Sequence, residues 1–169
     1  MAQIPRVLKN FSLFVDGRGL AGTVSTLTLP TLTTKMEEFR GGGMDAPVEI
    51  DMGMEKLEAS FELFDYDENV LSLYGLADGG ATQLTARGAL RRDGEAAVAM
   101  VVNMTGVVKG MEPGDWSAGE QTSMTIQVAL RYLKITIGGL EVVEIDKVNM
   151  IRRINGVDQL ESIRNAIGV

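Results

Sequence analysis

Residues Pro47 to Glu55 read Pro-Val-Glu-Ile-Asp-Met-Gly-Met-Glu, with apolar positions alternating with acidic ones and only Gly53 interrupting. On an extended chain, Val48, Ile50, Met52 and Met54 fall on one side, and Glu49, Asp51 and Glu55 on the other. Such a strand has one face made for a core and one that is wet and negatively charged. Three carboxylates on one strand face repel one another, so the pattern suits an open aqueous surface rather than a second packed sheet. An ordinary solvated outer face also satisfies the pattern, and only the rest of the chain separates the two readings.

The 169 residues are enough for a single domain, 1–169, with one sizeable core. Hydrophobic residues make up 45%, which argues against disorder. Aromatics are only 5% while methionine is frequent, so the core is adaptable and its rigidity can depend on partners. The net charge of −7 and pI near 4.7 disfavour binding to the outside of nucleic acid, because an anionic surface repels a polyanion. There is no cysteine, which excludes disulfides, thiolate chemistry and cysteine zinc sites. There is no histidine either, which removes the usual general base and the commonest metal ligand. Met1 to Lys9 has no apolar signal core, and no window approaches the ~20 apolar residues of a membrane span. The expectation is a soluble chain without a signal peptide or membrane anchor.

Strand-like alternation dominates the sequence. Phe11, Leu13 and Val15 alternate with Ser12, Phe14 and Asp16, and Asp16-Gly17 makes a turn. Val24 to Leu29 is threonine-rich, and Pro30 restricts it to an edge, bend or bulge. A stretch from Leu32 to Phe39 and the acidic strand form a long hairpin around the flexible tip Arg40-Gly41-Gly42-Gly43-Met44-Asp45. The apolar phase moves to odd positions at Leu57, Ala59, Phe61 and Leu63. A bulge near Glu55-Lys56 would keep both halves on one core. Asp65 to Asp78 reads as a helix with stripe Val70, Leu73, Tyr74 and Ala77, capped by Asp65 and Glu68 and stopped by Gly79-Gly80.

Leu84 to Arg92 and Val98 to Val108 are strands joined at Asp93-Gly94, and Pro113 to Trp116 and Ser117 to Gly119 are turns. Gln121 to Ile137 is the longest strand candidate, with a phase change at Tyr132-Leu133. Gly138-Gly139 then turns into Leu140 to Ile145. Asn155 to Val169 reads as a short helix capped by Asp158 with Glu161, burying Leu160, Ile163 and Ile167 and ending at Gly168.

Motifs for chemistry fail on inspection. Asp65 to Asn69 begins like a calcium loop, but Val70 stands where glycine is required and Leu76 where a bidentate glutamate is needed. Arg40 to Met44 is glycine-rich yet lacks the Lys-Ser/Thr that holds phosphates and magnesium. Carboxylates are plentiful, but no context singles out an acid/base pair, so no enzyme, catalytic residue, metal or cofactor is expected. Trp116, the single tryptophan, follows a Pro-Gly turn and reads with Asp115 as an anchor at a corner or interface.

Several segments then carry a family likeness: Leu27-Thr-Leu-Pro-Thr-Leu32, Glu38 through Met54, Tyr74-Gly-Leu-Ala-Asp78, Glu112 through Glu120, Glu144-Ile-Asp146 and Ile154 through Leu160. In order and over almost the whole chain, they resemble the major tail tube proteins of contractile-tailed phages and the related tube protein of R-type bacteriocins. The resemblance implies a mainly β subunit, an antiparallel β-sandwich or partial barrel with a packed α-helix. It also implies hexameric rings that stack into a rigid hollow tube inside the sheath, each subunit lending two hairpins to an inner inter-subunit barrel. Such a barrel removes the exposed edges that long hairpins present.

Under that resemblance the acidic face lines the lumen, with Glu49, Asp51, Glu55 and Glu58 as candidates. Lys35 and Arg131 on neighbouring strands partly neutralise the wall. A basic lumen would bind DNA and stall it, whereas an acidic one keeps phosphates off. The tip residues Arg40, Gly41, Gly42, Gly43, Met44 and Asp45 and the anchor pair Asp115 and Trp116 are expected at subunit contacts. The implied partners are other copies of the chain, the surrounding sheath, a tape measure protein inside the tube, and DNA passing without specific binding. The implied location is the virion tail, assembled in the host bacterial cytoplasm. Two other readings stay open: the tube of a headless bacteriocin-like injection particle, and a monomeric ligand-binding β-barrel.

Overall fold

A computed structural model describes residues 3–77 and 80–169. Its elements are β1 (Val7–Val15), β2 (Arg18–Gly19), β3 (Val24–Thr28), β4 (Thr34–Phe39), β5 (Val48–Met54), β6 (Leu57–Leu63) and α1 (Glu68–Leu71). They continue with β7 (Thr82–Arg91), β8 (Val98–Pro113), β9 (Met124–Ile137), β10 (Leu140–Asp146), β11 (Ile151–Ile154), β12 (Val157–Asp158) and α2 (Glu161–Ile167). The fold is mainly antiparallel β, as the sequence implies.

The backbone of the molecule is a sheet in the order β12-β11-β10-β9-β8-β7-β1-β2, with β6 also on β9 and β3 on β6. Strand β9 therefore has two partners on one edge: β6 beside Met124 to Leu130 and β10 beside Tyr132 to Ile137. The change of partner coincides with a bulge. Thr105 pairs with Tyr132 and Gly106 with Leu130, leaving Arg131 as the extra residue. This is the phase change read at Tyr132-Leu133, and it bends the sheet so that β3 and β6 curl back toward β1 and β7. Among the described residues the sheet stays open and does not close into a barrel. Gly106 makes the bend possible, because a Cβ there would lie 2.2 Å from the Ala129 carbonyl oxygen.

The core fills the inside of this curve. It holds Leu13 and Val15 of β1, Leu57, Ala59, Phe61 and Leu63 of β6, Leu84 of β7, Met104 and Val108 of β8, and Met124, Ile126, Val128, Leu130 and Leu133 of β9. The hairpin turns fall where expected: Asp16 and Gly17, Gly94, and Gly138 and Gly139 all have positive φ, which tight turns between twisted strands require. Strand β3 ends at Thr28 before Pro30 and is an edge strand.

Several sequence expectations are corrected. The longest strand is β8, with 16 residues, not β9, with 14. The helix expected over Asp65–Asp78 is only α1. Its N-cap is Asp67, whose Oδ1 accepts from the Asn69 and Val70 amides at 2.8 and 3.3 Å, and not Asp65 with Glu68. Of its expected stripe only Val70 is fully buried, and the chain turns away before Gly75, whose φ is +74°. The stop at Gly79 lies outside the described residues, as does Asp78.

The C-terminal helix is also shorter, because β11 and β12 occupy Ile151 to Asp158 first. Its N-cap is Leu160 without a side-chain cap, and Asp158 instead accepts from the Leu160 amide at 3.0 Å and pairs with Arg164 at 2.7 Å. Ile163 and Ile167 are exposed rather than buried. Gly168 ends the helix at φ +77°, as read.

Candidate functional site

Strands β4 and β5 form a separate two-stranded sheet, joined to each other and to neither edge of the main one. Both segments are β-prone and alternate, and their tip closes with local bonds. Arg40 Nε donates to the Met44 carbonyl at 3.3 Å, and Gly43 takes φ +84°. The pairing contains one irregularity that reorganises its faces. Thr34 pairs with Met54 but Met36 with Asp51, so β5 carries one extra residue at Met52-Gly53, where Gly53 has φ +99°. The bulge thus sits inside the hairpin, and not at Glu55-Lys56 as expected. At Glu55-Lys56 the chain leaves one sheet for the other, and the Glu55 amide donates to the Thr33 carbonyl at 2.9 Å.

The consequence is a change in who shares a face. Cross-strand partners lie on the same side, so Glu38, Glu49, Met36, Asp51, Thr34 and Met54 form one face. Phe39, Val48, Ile50, Glu37 and Lys35 form the other, and the 3.7 Å Lys35–Glu37 pair belongs there. Met54 is therefore on the acidic side, contrary to a simple alternation, and Glu55 lies beyond the strand. Phe39, Val48 and Ile50 are each about half exposed, so the apolar face has no cover within the subunit. The expectation that β5 and β6 face one core is overturned for the same reason: β6 is buried in the main sheet and β5 is not.

The acidic candidates have different surroundings. Asp51 lies 3.6 Å from Arg152 of β11, and its Oδ1 accepts from the Gly53 amide at 2.7 Å, so it ties the bulge to the body. Glu49 stands directly opposite Glu38, two like charges at adjacent positions, and neither has an ion-pair partner among the described residues. Sequence reading missed Glu38, because its pairing with Glu49 depends on a register that the bulge sets. Glu58 sits apart on the outer face of β6, where Lys109 and then Lys56 hydrogen-bond its carboxylate and hold its pKa below the ordinary value. The structure therefore brings Glu49 and Asp51 together, adds Glu38, and leaves Glu55 and Glu58 elsewhere. Lys35 lies on the opposite hairpin face, and Arg131 is the bulged residue of β9.

Two further surface clusters have defined side-chain contacts. Trp116 is 80% exposed; its ring meets Tyr66 edge-on at 6.2 Å, and its Nε1 donates to the Tyr66 hydroxyl at 2.9 Å. Asp115 beside it is also exposed. On the outer face of β9 and β10, Tyr132 donates to Glu144 at 3.0 Å, Arg153 pairs with Glu144 at 2.8 Å and Lys134 with Glu141 at 3.1 Å. Burial, and then the Glu144 carboxylate, pushes the Tyr132 phenol up to about 12, so its hydroxyl stays protonated and donating through the physiological range. Among the described residues no group of histidine, cysteine and acidic side chains is arranged to hold a metal.

The family model described as phage tail tube protein FII matches residues 5–168. The tail tube protein of Escherichia phage P2 is 37% identical over 171 aligned positions, covering 98% of this chain and 99% of the relative. The major tail tube protein of Serratia phage KSP20 is 32% identical, covering 90% of each. Among solved structures, the sheath-tube complex of an extracellular contractile injection system, PVC, in its extended state has a chain with a TM-score of 0.60. That match covers 78% of this chain and 91% of the other at 11% identity, which shows a common fold. An open antiparallel sheet with an uncovered hairpin, matched from end to end by phage tube sequences, makes this chain a member of the phage tail tube protein FII family, structural proteins of the virion tail.

Proposed function

We propose that copies of this subunit close into six-membered rings, and that the rings stack into the inner tube of a contractile phage tail, with the sheath outside. The observation that carries this reading is hairpin β4–β5, whose Phe39, Val48 and Ile50 stand uncovered on a two-stranded sheet. An isolated two-stranded ribbon is marginal in water, so its apolar face and free edges call for strands from other subunits. The tip, Arg40 to Asp45, then meets a neighbouring copy, and the likeness to a chain of a sheath-tube complex supports the sheath as outer partner. Assembly in the host bacterial cytoplasm, before the tail joins the virion, follows from the same reading. An open sheet in a tube family leaves the monomeric ligand-binding barrel without support.

The lumen wall in this reading is acidic, and it holds DNA and the tape measure protein without gripping them. Glu38, Glu49 and Asp51, gathered on one hairpin face, are its carboxylates, whereas Glu55 and Glu58 lie off that face. Asp51 is partly neutralised by Arg152, so the free charge rests mainly on Glu38 and Glu49. Reversing both, Glu38→Lys and Glu49→Lys, changes a six-membered ring by 2 × 2 × 6, or about 24 charge units, facing a polyanion. Tubes should form as before, and genome ejection should slow at low salt and recover as salt is raised. Ejection at the unaltered rate at low salt would remove these carboxylates from the path. A headless injection particle is the second reading, favoured by the fold likeness to PVC. Capsid and terminase genes beside this one would decide for the phage.

A further inference from the structure

The charge of this chain is laid unevenly along its strands. Leu57 to Ala86 and Gly110 to Leu130 contain no lysine or arginine at all. Their parts around Phe61 to Val70 and Glu112 to Met124 build one end of the sheet, where Leu63 and Pro113 meet Met124 and the loop bearing Trp116 leaves β8, with Arg18 of β2 beside Asp67 as a lone counter-charge. Asp65, Glu68, Asp115 and Glu120 are exposed there and make no ion pair among the described residues. The opposite end, where Val7 pairs with Arg91 and Leu90 with Val98, carries Arg6, Lys9, Arg91 and Arg92. Glu95 is paired to Arg92 at 3.1 Å and Asp93 tips the turn, so basic charge remains in excess. Along β8 the two ends are separated by Met100 to Pro113, about 40 Å of strand.

Each end also has an apolar patch. Trp116 projects at the acidic end. At the basic end Ile4, Val7 and Leu8 are all at least half exposed in one strip. Arg92 Nε donates to the Ile4 carbonyl at 2.6 Å and holds the start of that strip to the body. The ends thus differ in charge sign, and each offers an exposed apolar group beside the charges.

Resting on the tube reading above, we infer that the acidic end of one subunit docks on the basic end of a subunit in the next ring, with Trp116 laid against Ile4, Val7 and Leu8. The occupant is a second copy of this chain, chosen by charge complementarity. Two different patches make the contact, so it is heterologous and does not close; it propagates along an axis, as ring stacking requires. Each charge pair is weak on its own. Even a roughly twofold weakening per contact compounds to about 60-fold at a six-contact joint.

The test uses the full chain in three forms beside the unaltered one: Arg6→Glu with Lys9→Glu, Asp115→Lys with Glu120→Lys, and all four together. Circular dichroism first checks that each folds. At low salt each double variant should stop at rings or give tubes at least about tenfold shorter, and the fourfold variant, with its polarity restored in reverse, should regain length. Emission of the single tryptophan should move to the blue when rings of the unaltered chain become tubes, and stay red in the double variants. Full-length tubes from either double variant at low salt would overturn the end-to-end pairing and leave the tube reading standing. So would a folded fourfold variant that does not elongate, or an emission unchanged on stacking. An unaltered chain that forms no tubes under any condition would instead bring down the tube reading itself.

Discussion

Strands β9 and β5 carry the same alternation, and they end in opposite situations. In β9, Met124, Ile126, Val128 and Leu130 are at most 1% exposed, whereas in β5, Val48, Ile50 and Met52 stay about half exposed. Alternation states that a strand has an apolar side; it does not state who covers it. In β9 the cover is the same chain: these side chains share one core with Leu13 and Val15 of β1, Leu84 of β7 and Val70 of α1. In β5 nothing among the described residues supplies it, and in the proposed ring that side is left for another copy. The outer sides differ too: β9 presents Thr125 and Gln127, β5 presents Glu49 and Asp51.

The comparison breaks most easily at the core. Phe61→Ala should cost about 3–5 kcal/mol, the range for losing a buried aromatic, and the subunit should melt far earlier. Ile50→Ala, on the hairpin, should change subunit stability by no more than about 0.5 kcal/mol yet impair tube formation. Equal melting shifts from the two substitutions would show that β5 is part of the subunit core after all.

Two glycines sharpen the contrast next. Gly106→Ala forces a methyl against the Ala129 carbonyl and should destabilise the whole subunit by about 1–3 kcal/mol in a denaturant melt. Gly53→Ala meets no atom within 4 Å but keeps a φ of +99°, so its cost, about 1 kcal/mol, should fall on the hairpin alone. Hydrogen exchange resolves where: amides of β4 and β5 should be weakly protected in the subunit and strongly in the tube, with β8 and β9 protected in both. Equal hairpin protection in the two states would sink the partner-dependent reading.

The smallest effect is a pH dependence at the C-terminal end. The Arg164 guanidinium, followed by the Leu160 amide, lowers the Asp158 carboxyl to about 2. A carboxyl depressed in the folded state contributes its stability above the ordinary value of 3.8, and the contribution is lost as pH falls toward about 2. Asp158→Asn should therefore flatten the acid limb of a stability curve between about pH 4 and 2, and leave stability above pH 5 lower by a constant amount. An acid limb unchanged by the substitution would mean that Asp158 is not held by Arg164 in solution.

Local chemistry made much of the fold legible. Asp93-Gly94 and Gly138-Gly139 are turns because Gly94, Gly138 and Gly139 take positive φ, which few other residues tolerate, and the bulge at Arg131 was visible as a broken period at Tyr132-Leu133. The helix expected over 65–78 failed where a helical pattern met tertiary demand: Val70 plugs the core and the chain leaves at once. The acidic face was legible as an acidic face, but its membership was not. Gly53 could be read as an interruption, yet only pairing with β4 shows that it inserts a residue, moves Met54 across and sets Glu38 against Glu49.

By itself the sequence determined a mainly β chain, its tight turns, its apolar stripes, an acidic segment at 49–55 and two long stretches free of basic residues. These follow from residue-level preferences that need no partner: alternation, positive φ and charge. The tertiary structure decided which stripes are buried, that β6 and β5 part company at Glu55-Lys56, and that charge is polarised along the sheet. Burial and register are properties of pairs of strands distant in sequence, and one bulged residue reverses the face of everything beyond it.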